Sequence, residues 1–377
     1  MECTLYLSDN CNLRCKYCYE GKSRISGQLS EKDLNLAVDY IINNTELGDR
    51  IDITFLGGEP LLNKNMLYKA VEIINTKYKE YTPYTFYHIT TNGILVDDKS
   101  IDFFKDNKFE VSISIDGNHE THALNRVSLS GKDEYDLIMS NMEKMISNNL
   151  NLIVRMTATL NNVHLLYENV KYFYDMGIKH INVGLDELGE WTDKELSVFD
   201  ESLKQLDEYY LNNIINDDEK ILSIYDYKLA SYVFAREPIY CSGGTKGHIV
   251  INSKGEFYPC GYVTNNKDWY LGNLTQGLDN NKFLKKVKEN VRKESSCKDC
   301  EIAYTCCGAK CGFLNYAMTG CLNKNSNVTC KLQKMIYAHN VVVLNRMFDM
   351  KNSRIMNMLD VAKENNLELG PLVKTMI

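Results

Sequence analysis

The chain has 377 residues, 44% hydrophobic and 25% charged, enough for two domains and a sizeable core. Lys and Arg are outnumbered 43 to 50 by Asp and Glu and spread along the chain, so there is no basic excess to hold a phosphate backbone, and a nucleic-acid partner is excluded. No apolar run approaches the ~20 residues that span a bilayer, and the sequence opens directly on a strand-like segment, so a cytoplasmic chain without a membrane partner is the expectation.

In chain order, short β-branched runs at 4–7, 51–55, 85–90, 110–115, 151–158 and 181–185 read as strands. Segments with helical spacing follow them at 31–42, 65–78, 99–106, 134–147, 165–176 and 193–213. The strands are nearly continuously apolar, as strands buried on both faces are. Six strand-helix units in a row predict an α/β fold with a curved parallel sheet, a partial (β/α)6 TIM-like barrel whose ligands sit at the C-terminal strand ends. A cysteine-rich region follows, and 335–377 reads as two closing helices. The expected division is 1–235, 236–335 and 336–377.

The thirteen cysteines are unevenly placed. Four lie in the first eighteen residues, none falls between Cys18 and Cys241, and nine crowd into 241–330. In an unsecreted chain these are not expected to pair as disulfides, and metal or redox chemistry is the alternative. Cys11-Asn-Leu-Arg-Cys15-Lys-Tyr17-Cys18 follows the first strand. Three soft thiolates so close can hold a four-iron cube with one iron left open. A zinc knuckle is the other reading of the spacing, although the first histidine in the chain is His88. Cys3 reads as a buried strand residue.

Other motifs fall at the strand ends. Gly57-Gly58-Glu59-Pro60 follows the second strand, Thr90-Thr91-Asn92-Gly93 the third, and Ser112-Ile-Ser114-Ile-Asp116-Gly117 the fourth. Gly-Gly permits close backbone approach, and Glu59 offers a carboxylate to a cation. By itself the run also makes an ordinary βα turn. Arg155 interrupts the apolar run Leu152-Ile-Val-Arg-Met156. Read as a buried cation, it needs either an anionic ligand or an internal acid.

The C-x3-C-x2-C loop with Tyr17 before its last cysteine, together with these motifs, resembles the radical S-adenosylmethionine (AdoMet) enzymes. The resemblance implies that Cys11, Cys15 and Cys18 hold a catalytic [4Fe-4S] cluster whose open iron binds AdoMet. It places Tyr17, Gly57, Gly58, Glu59, Thr91, Asn92, Ser114, Asp116 and Arg155 around that cofactor. Glu59 and its glycines would take the AdoMet amino group, Ser114 the ribose, Asp116 the pocket floor, and Arg155 is a candidate for the carboxylate.

Cys241, Cys260, Cys297-x2-Cys300-x5-Cys306, Cys311 and Cys330 resemble the seven-cysteine SPASM domain. That resemblance implies two auxiliary [4Fe-4S] clusters, one on Cys241, Cys260 and Cys311, the other on Cys297, Cys300, Cys306 and Cys330, for three clusters in all. Cys306 to Cys311 is one residue longer than the family spacing, and Cys307 is a substitute ligand. No cysteine lies between Cys241 and Cys260, so the first auxiliary cluster is expected to keep an open iron unless Cys307 or Cys321 closes it.

Length and motif order resemble the anaerobic sulfatase maturases, including Asp116-Gly117 and His122-Ala-Leu-Asn125-Arg126. Those enzymes have a catalytic aspartate after the cysteine equivalent to Cys260, where this chain has Gly261. The missing base and the open iron point instead to a thioether-forming maturase of a cysteine-rich precursor peptide, served by a reductant such as flavodoxin or ferredoxin. Because the sequence opens on the first strand, leader recognition is expected to use other surfaces or a separate protein. A formylglycine maturase, a carbon-carbon crosslinking or epimerising enzyme and a non-catalytic iron-sulfur electron carrier are the alternatives.

Overall fold

The computed structural model describes residues 1–376 other than 22–24, 236–240, 246, 294, 296, 307, 309 and 310. Besides a short antiparallel pair, Gly272–Asn273 with Gly277–Leu278, its strands are β1 (Glu2–Ser8), β2 (Ile51–Gly57), β3 (Thr85–Thr91), β4 (Glu110–Ser114), β5 (Asn151–Ala158), β6 (His180–Leu185), β7 (Ile221–Leu222), β8 (His248–Ile251) and β9 (Phe257–Tyr258). The helices of the first part are α1 (Glu31–Asn43), α2 (Lys64–Lys77), α3 (Asp98–Asp106), α4 (His119–Asn125), α5 (Tyr135–Ser147), α6 (Leu166–Asp175) and α7 (Asp193–Asn213). They are followed by α8 (Ser223–Val233), α9 (Asn280–Glu289), α10 (Gly312–Thr319), α11 (Asn327–Asp349), α12 (Ser353–Glu364) and α13 (Pro371–Lys374). The chain forms two compact units: residues 1–115, 125–153 and 242–290 in the first, and 116–124, 154–241 and 291–377 in the second.

In the first unit β1 pairs in parallel with β2, β2 with β3, and β3 with β4. On its other side β1 takes β8 in parallel, and β8 pairs antiparallel with β9. Cys3, Leu5, Tyr6 and Leu7 of β1 are all fully buried, which is why that strand reads as a continuous apolar run rather than an alternating one. The reading of Cys3 as a strand residue holds, and burial pushes its thiol well above the usual cysteine range. Helix α1 starts where the Ser30 hydroxyl accepts from the Asp33 amide, and it buries Leu34, Ala37, Val38, Ile41 and Ile42 at helical spacing. Phe55, Tyr87 and Phe109 stack with ring centroids 5.2 to 6.4 Å apart, which adds about 0.5–1.5 kcal/mol per pair beyond area burial.

In the second unit β6 pairs in parallel with β7, and helix α7 opens on a capping box between Thr192 and Glu195. A buried polar network ties the C-terminal helices down. His339 of α11 lies between Asp207 at 2.6 Å and Asp200 at 3.2 Å, both on α7. Arg354 of α12 pairs with Asp226 at 2.6 Å, and Asp226 also accepts from Tyr210.

The strand and helix boundaries differ from the sequence reading by a residue or two at most. The C-terminus differs more. Instead of two helices over 335–377 there are three, and α11 already starts at Asn327, inside the cysteine-rich region. The Ser326 hydroxyl accepts from the Thr329 amide and fixes that start, which places Cys330 in the first helical turn.

Candidate active site

The cysteine loop leaves β1 at Ser8 and is gripped from two sides within the first unit. On one side the Gly58 amide donates to Ser8 O and the Glu59 amide to Asn10 O, each at 2.8 Å. Gly57 has φ +126°, and a Cβ there would collide with the Ser8 carbonyl; one on Gly58 would collide with that of Asn10. Both glycines are therefore required by the approach of the β2 loop to the chain entering Cys11. On the other side Leu129 donates to Asn12 O, Arg14 to Val127 O and Lys16 to Asn125 O, at 2.7 to 2.9 Å. The loop is thus paired along its length by backbone hydrogen bonds.

Glu59 is buried, and its carboxylate accepts from the Thr91 hydroxyl at 2.7 Å, the Asn92 amide at 2.8 Å and the Leu61 amide at 3.0 Å. Burial pushes its carboxyl above the usual range, against the pull of those donors. In this arrangement it joins the end of β2 to the end of β3. Asn92 continues the chain of contacts, donating through Nδ2 to Asn12 Oδ1 at 2.7 Å and lying 4.0 Å from Cys11 Sγ. The GGEP and TTNG motifs therefore converge on the first cysteine.

Arg126, given no role in the sequence reading, stands beside this loop. Its Nη1 is 4.0 Å from Cys15 Sγ, and its guanidinium lies 5.3 Å from the centroid of the Tyr17 ring. A cation there favours a thiolate. The Asn125-Arg126 pair was visible in the sequence, but only the pairing of 125–129 with the cysteine loop gives it a role.

Ser114 ends β4 and is half-buried. Asp116 belongs to the second unit, where it is buried and accepts from the Thr157 amide at 3.0 Å, linking the chain after β4 to β5. Gly117 (φ +154°) lies against the Asn169 side chain. The reading of Arg155 as a buried cation is corrected. It is exposed on β5, and among the described residues no carboxylate lies within 4.0 Å of it. The strand's burial pattern alternates there, so the charge sits on its open face, and the alternative of an internal salt bridge is not found.

Among the SPASM-type cysteines, Cys260 opens the short turn Gly261–Val263 in the first unit. The Tyr19 hydroxyl lies within electrostatic range of both Cys260 and Cys18, and its ring packs on Tyr262 at 4.9 Å. A Cβ on Gly261 would stand 3.0 Å from the Tyr6 hydroxyl and 3.2 Å from that of Tyr19. In the second unit Cys330 is brought to Cys297 and Cys300: burial, then the proximity of those two thiols, pushes its own thiol up. Cys306 is buried, and Cys311 immediately precedes α10. Cys321 is buried with its sulfur 3.3 Å from Asn323 Oδ1. Cys307 lies outside the described residues.

Among the described residues no three His, Cys, Asp or Glu side chains stand close enough to hold a single ion. The donor chemistry suits iron-sulfur clusters, whose thiolates bind separate irons. The three N-terminal thiols sit on one braced loop, and Cys297, Cys300 and Cys330 are gathered in the second unit. No described helix is long and apolar enough to cross a membrane.

Comparison with known proteins agrees with this geometry. The radical SAM superfamily pattern matches residues 5–163, and the SPASM iron-sulfur cluster-binding domain matches 241–301. The chain is 24% identical over 320 residues to a cysteine-type anaerobic sulfatase-maturating enzyme of Clostridium perfringens, covering 80% of this chain and 86% of that one. It is 24% identical over 332 residues to the subtilosin biosynthesis protein AlbA of Bacillus subtilis, covering 87% and 68%. The structure of native anSMEcpe with bound AdoMet and the Cp18Cys peptide superposes with a TM-score of 0.73 at 22% identity, covering 97% and 99%. That likeness shows the fold: α/β with a parallel sheet and a cysteine-rich C-terminal domain.

Proposed function

From a chain that carries a radical SAM domain and a SPASM domain, we propose a peptide maturase that joins a cysteine sulfur of a ribosomally made, cysteine-rich precursor to a carbon of that peptide. A [4Fe-4S] cluster on Cys11, Cys15 and Cys18 with AdoMet would supply a 5'-deoxyadenosyl radical, and clusters on Cys241, Cys260 and Cys311 and on Cys297, Cys300, Cys306 and Cys330 would supply a thiol-binding iron and an electron sink. The chain's own contribution is to hold the geometry. Gly57, Gly58, Glu59 and Asn92 brace the loop at Cys11, and Arg126 presents its charge at Cys15. Ser114, at the end of β4, would be the polar group of the first unit that meets AdoMet.

Gly261 carries the choice of reaction. The position after Cys260 presents no carboxylate, and the Tyr6 and Tyr19 hydroxyls leave no ordinary clearance for a side chain there. Thioether formation needs no base if iron binds the substrate thiol. The relation to AlbA, a subtilosin biosynthesis protein, supports the same reading.

A formylglycine-type maturase is the second reading, favoured by the likeness to the sulfatase-maturating enzyme over most of both chains. Anaerobic reaction of the reconstituted protein with AdoMet, reductant and a cysteine-rich precursor peptide separates the two. Thioether formation removes two hydrogens and one alkylatable thiol from the peptide. An aldehyde trapped by a hydrazine, with the cysteine sulfur lost, establishes the second reading instead.

A further inference from the structure

The basic residues are not spread evenly, as the sequence reading had them: helix α9 sets a concentrated positive charge in an acidic protein. Residues 282–293 hold Lys282, Lys285, Lys286, Lys288, Arg292 and Lys293 against the single acid Glu289, while the whole chain carries -7. None of the side chains of α9 is fully buried. Glu289 lies 3.9 Å from both Lys285 and Lys286, at the outer limit of an ion pair, and leaves most of the charge uncompensated. Leu284 is 56% exposed and Val291 40% exposed, so apolar surface accompanies the cations.

The helix is fixed in a particular place. Asp279 caps it by accepting from the Lys282 amide at 2.8 Å, and the Phe283 ring packs against Gly244, where a Cβ would collide with it. Gly244 has φ +82° in the turn that follows Cys241. Lys282 lies 5.0 Å from the centroid of Tyr270. The charged face is therefore built on the backbone that leads away from a candidate ligand of the first auxiliary cluster.

We propose that α9 is the docking surface for a small acidic one-electron carrier protein that exchanges electrons with the auxiliary-cluster domain. This rests on the reading of that domain as a cluster carrier. Redox encounters use small interfaces and long-range steering, which a short charged helix with an exposed leucine provides. A peptide held by main-chain or apolar contacts uses a groove or a free sheet edge, whereas the feature of α9 is its charge. In each encounter one electron passes: the carrier is oxidised by one unit as the cluster is reduced by one, or the reverse.

The test measures binding rather than turnover. Reconstituted full-length protein is titrated with an acidic [2Fe-2S] ferredoxin at low and at physiological salt. A variant with Lys282, Lys285, Lys286 and Lys288 all changed to Glu is compared with one that carries Lys79→Glu, Lys105→Glu, Lys108→Glu and Lys132→Glu, all exposed and remote in sequence. The α9 variant should bind the ferredoxin at least about tenfold more weakly, with a flatter salt dependence, while AdoMet cleavage driven by dithionite is unchanged. Unchanged ferredoxin binding, or an equal loss in the control variant, overturns the proposal. So does loss of precursor-peptide binding with ferredoxin binding intact, which assigns the surface to the peptide. Failure of thioether formation alone leaves the binding readout unaffected.

Discussion

A Cβ added to Gly261 would stand 3.0 Å from the hydroxyl of Tyr6, a distance that real Cβ contacts rarely show. Tyr6 cannot easily give way: it is buried, and its hydroxyl donates to Glu20 at 2.5 Å. Tyr19, the other neighbour, is 39% exposed and can swing aside. Gly261→Asp should therefore cost about 1–3 kcal/mol by overpacking, read as a lower melting temperature of the reconstituted protein. It should not create formylglycine activity. A Gly261→Asp variant that is as stable as the parent and forms an aldehyde on a cysteine peptide would show that the pocket already accommodates a base.

Glu59 accepts from three groups on two backbone segments, so removing its carboxylate leaves the Thr91 hydroxyl and the Asn92 and Leu61 amides without their acceptor in a buried place. Glu59→Ala should cost about 2–4 kcal/mol, and Thr91→Val, which removes one donor from the same carboxylate, about 1 kcal/mol. Because Asn92 reaches toward Cys11, Glu59→Ala should also lower the iron retained by the N-terminal loop. Denaturation curves and iron analysis of the two variants check the order. Equal losses would mean that the carboxylate works through Thr91 alone.

The parallel strands and the strand-end motifs were legible because buried strands are apolar on both faces and their glycines stand next to a carboxylate or an amide with fixed partners. Gly57 and Gly58 carry that information in two residues: each lacks room for a Cβ. The pairing of 125–129 with the cysteine loop was not legible, since no local periodicity marks two irregular segments that meet more than a hundred residues apart. Arg126 went unassigned for that reason. The addition of β8 and β9 beside β1 was missed similarly, because both are too short to show a period. Cys330 was assigned to a cluster by the SPASM resemblance, but its place inside a helix depended on the Ser326 cap, which the cysteine pattern concealed.

Arg155 illustrates how an apolar run misleads about burial. Its neighbours Val154 and Met156 are buried, yet the side chain between them is exposed, because successive side chains of a strand alternate in direction. Arg155→Ala should therefore change stability by no more than about 0.5 kcal/mol. Its effect should fall on ligand affinity, with AdoMet bound more weakly by the reconstituted protein in equilibrium dialysis. A large loss of stability with unchanged AdoMet affinity would return Arg155 to a structural role.

His339 makes the second unit's stability depend on pH in a definite direction. Burial alone would lower its imidazolium below the ordinary value of 6.5, but Asp207 and Asp200 outweigh it and raise the group. Asp207 is itself held by the Tyr225 hydroxyl at 2.5 Å, and Asp200 by Lys204, so the carboxylates are fixed when the ring is charged. A cation whose folded value is raised contributes its full stabilisation below the unfolded value and loses it as pH rises through the folded value. His339→Gln should cost about 2–4 kcal/mol in buffer below 6.5, because it leaves Asp207 buried without its cation. The difference between parent and variant should shrink as pH rises through the raised folded value, where the parent imidazole loses its charge. Chemical denaturation of the full chain on both sides of the transition measures this, and a gap that stays constant or widens with pH would show that His339 acts through packing rather than charge.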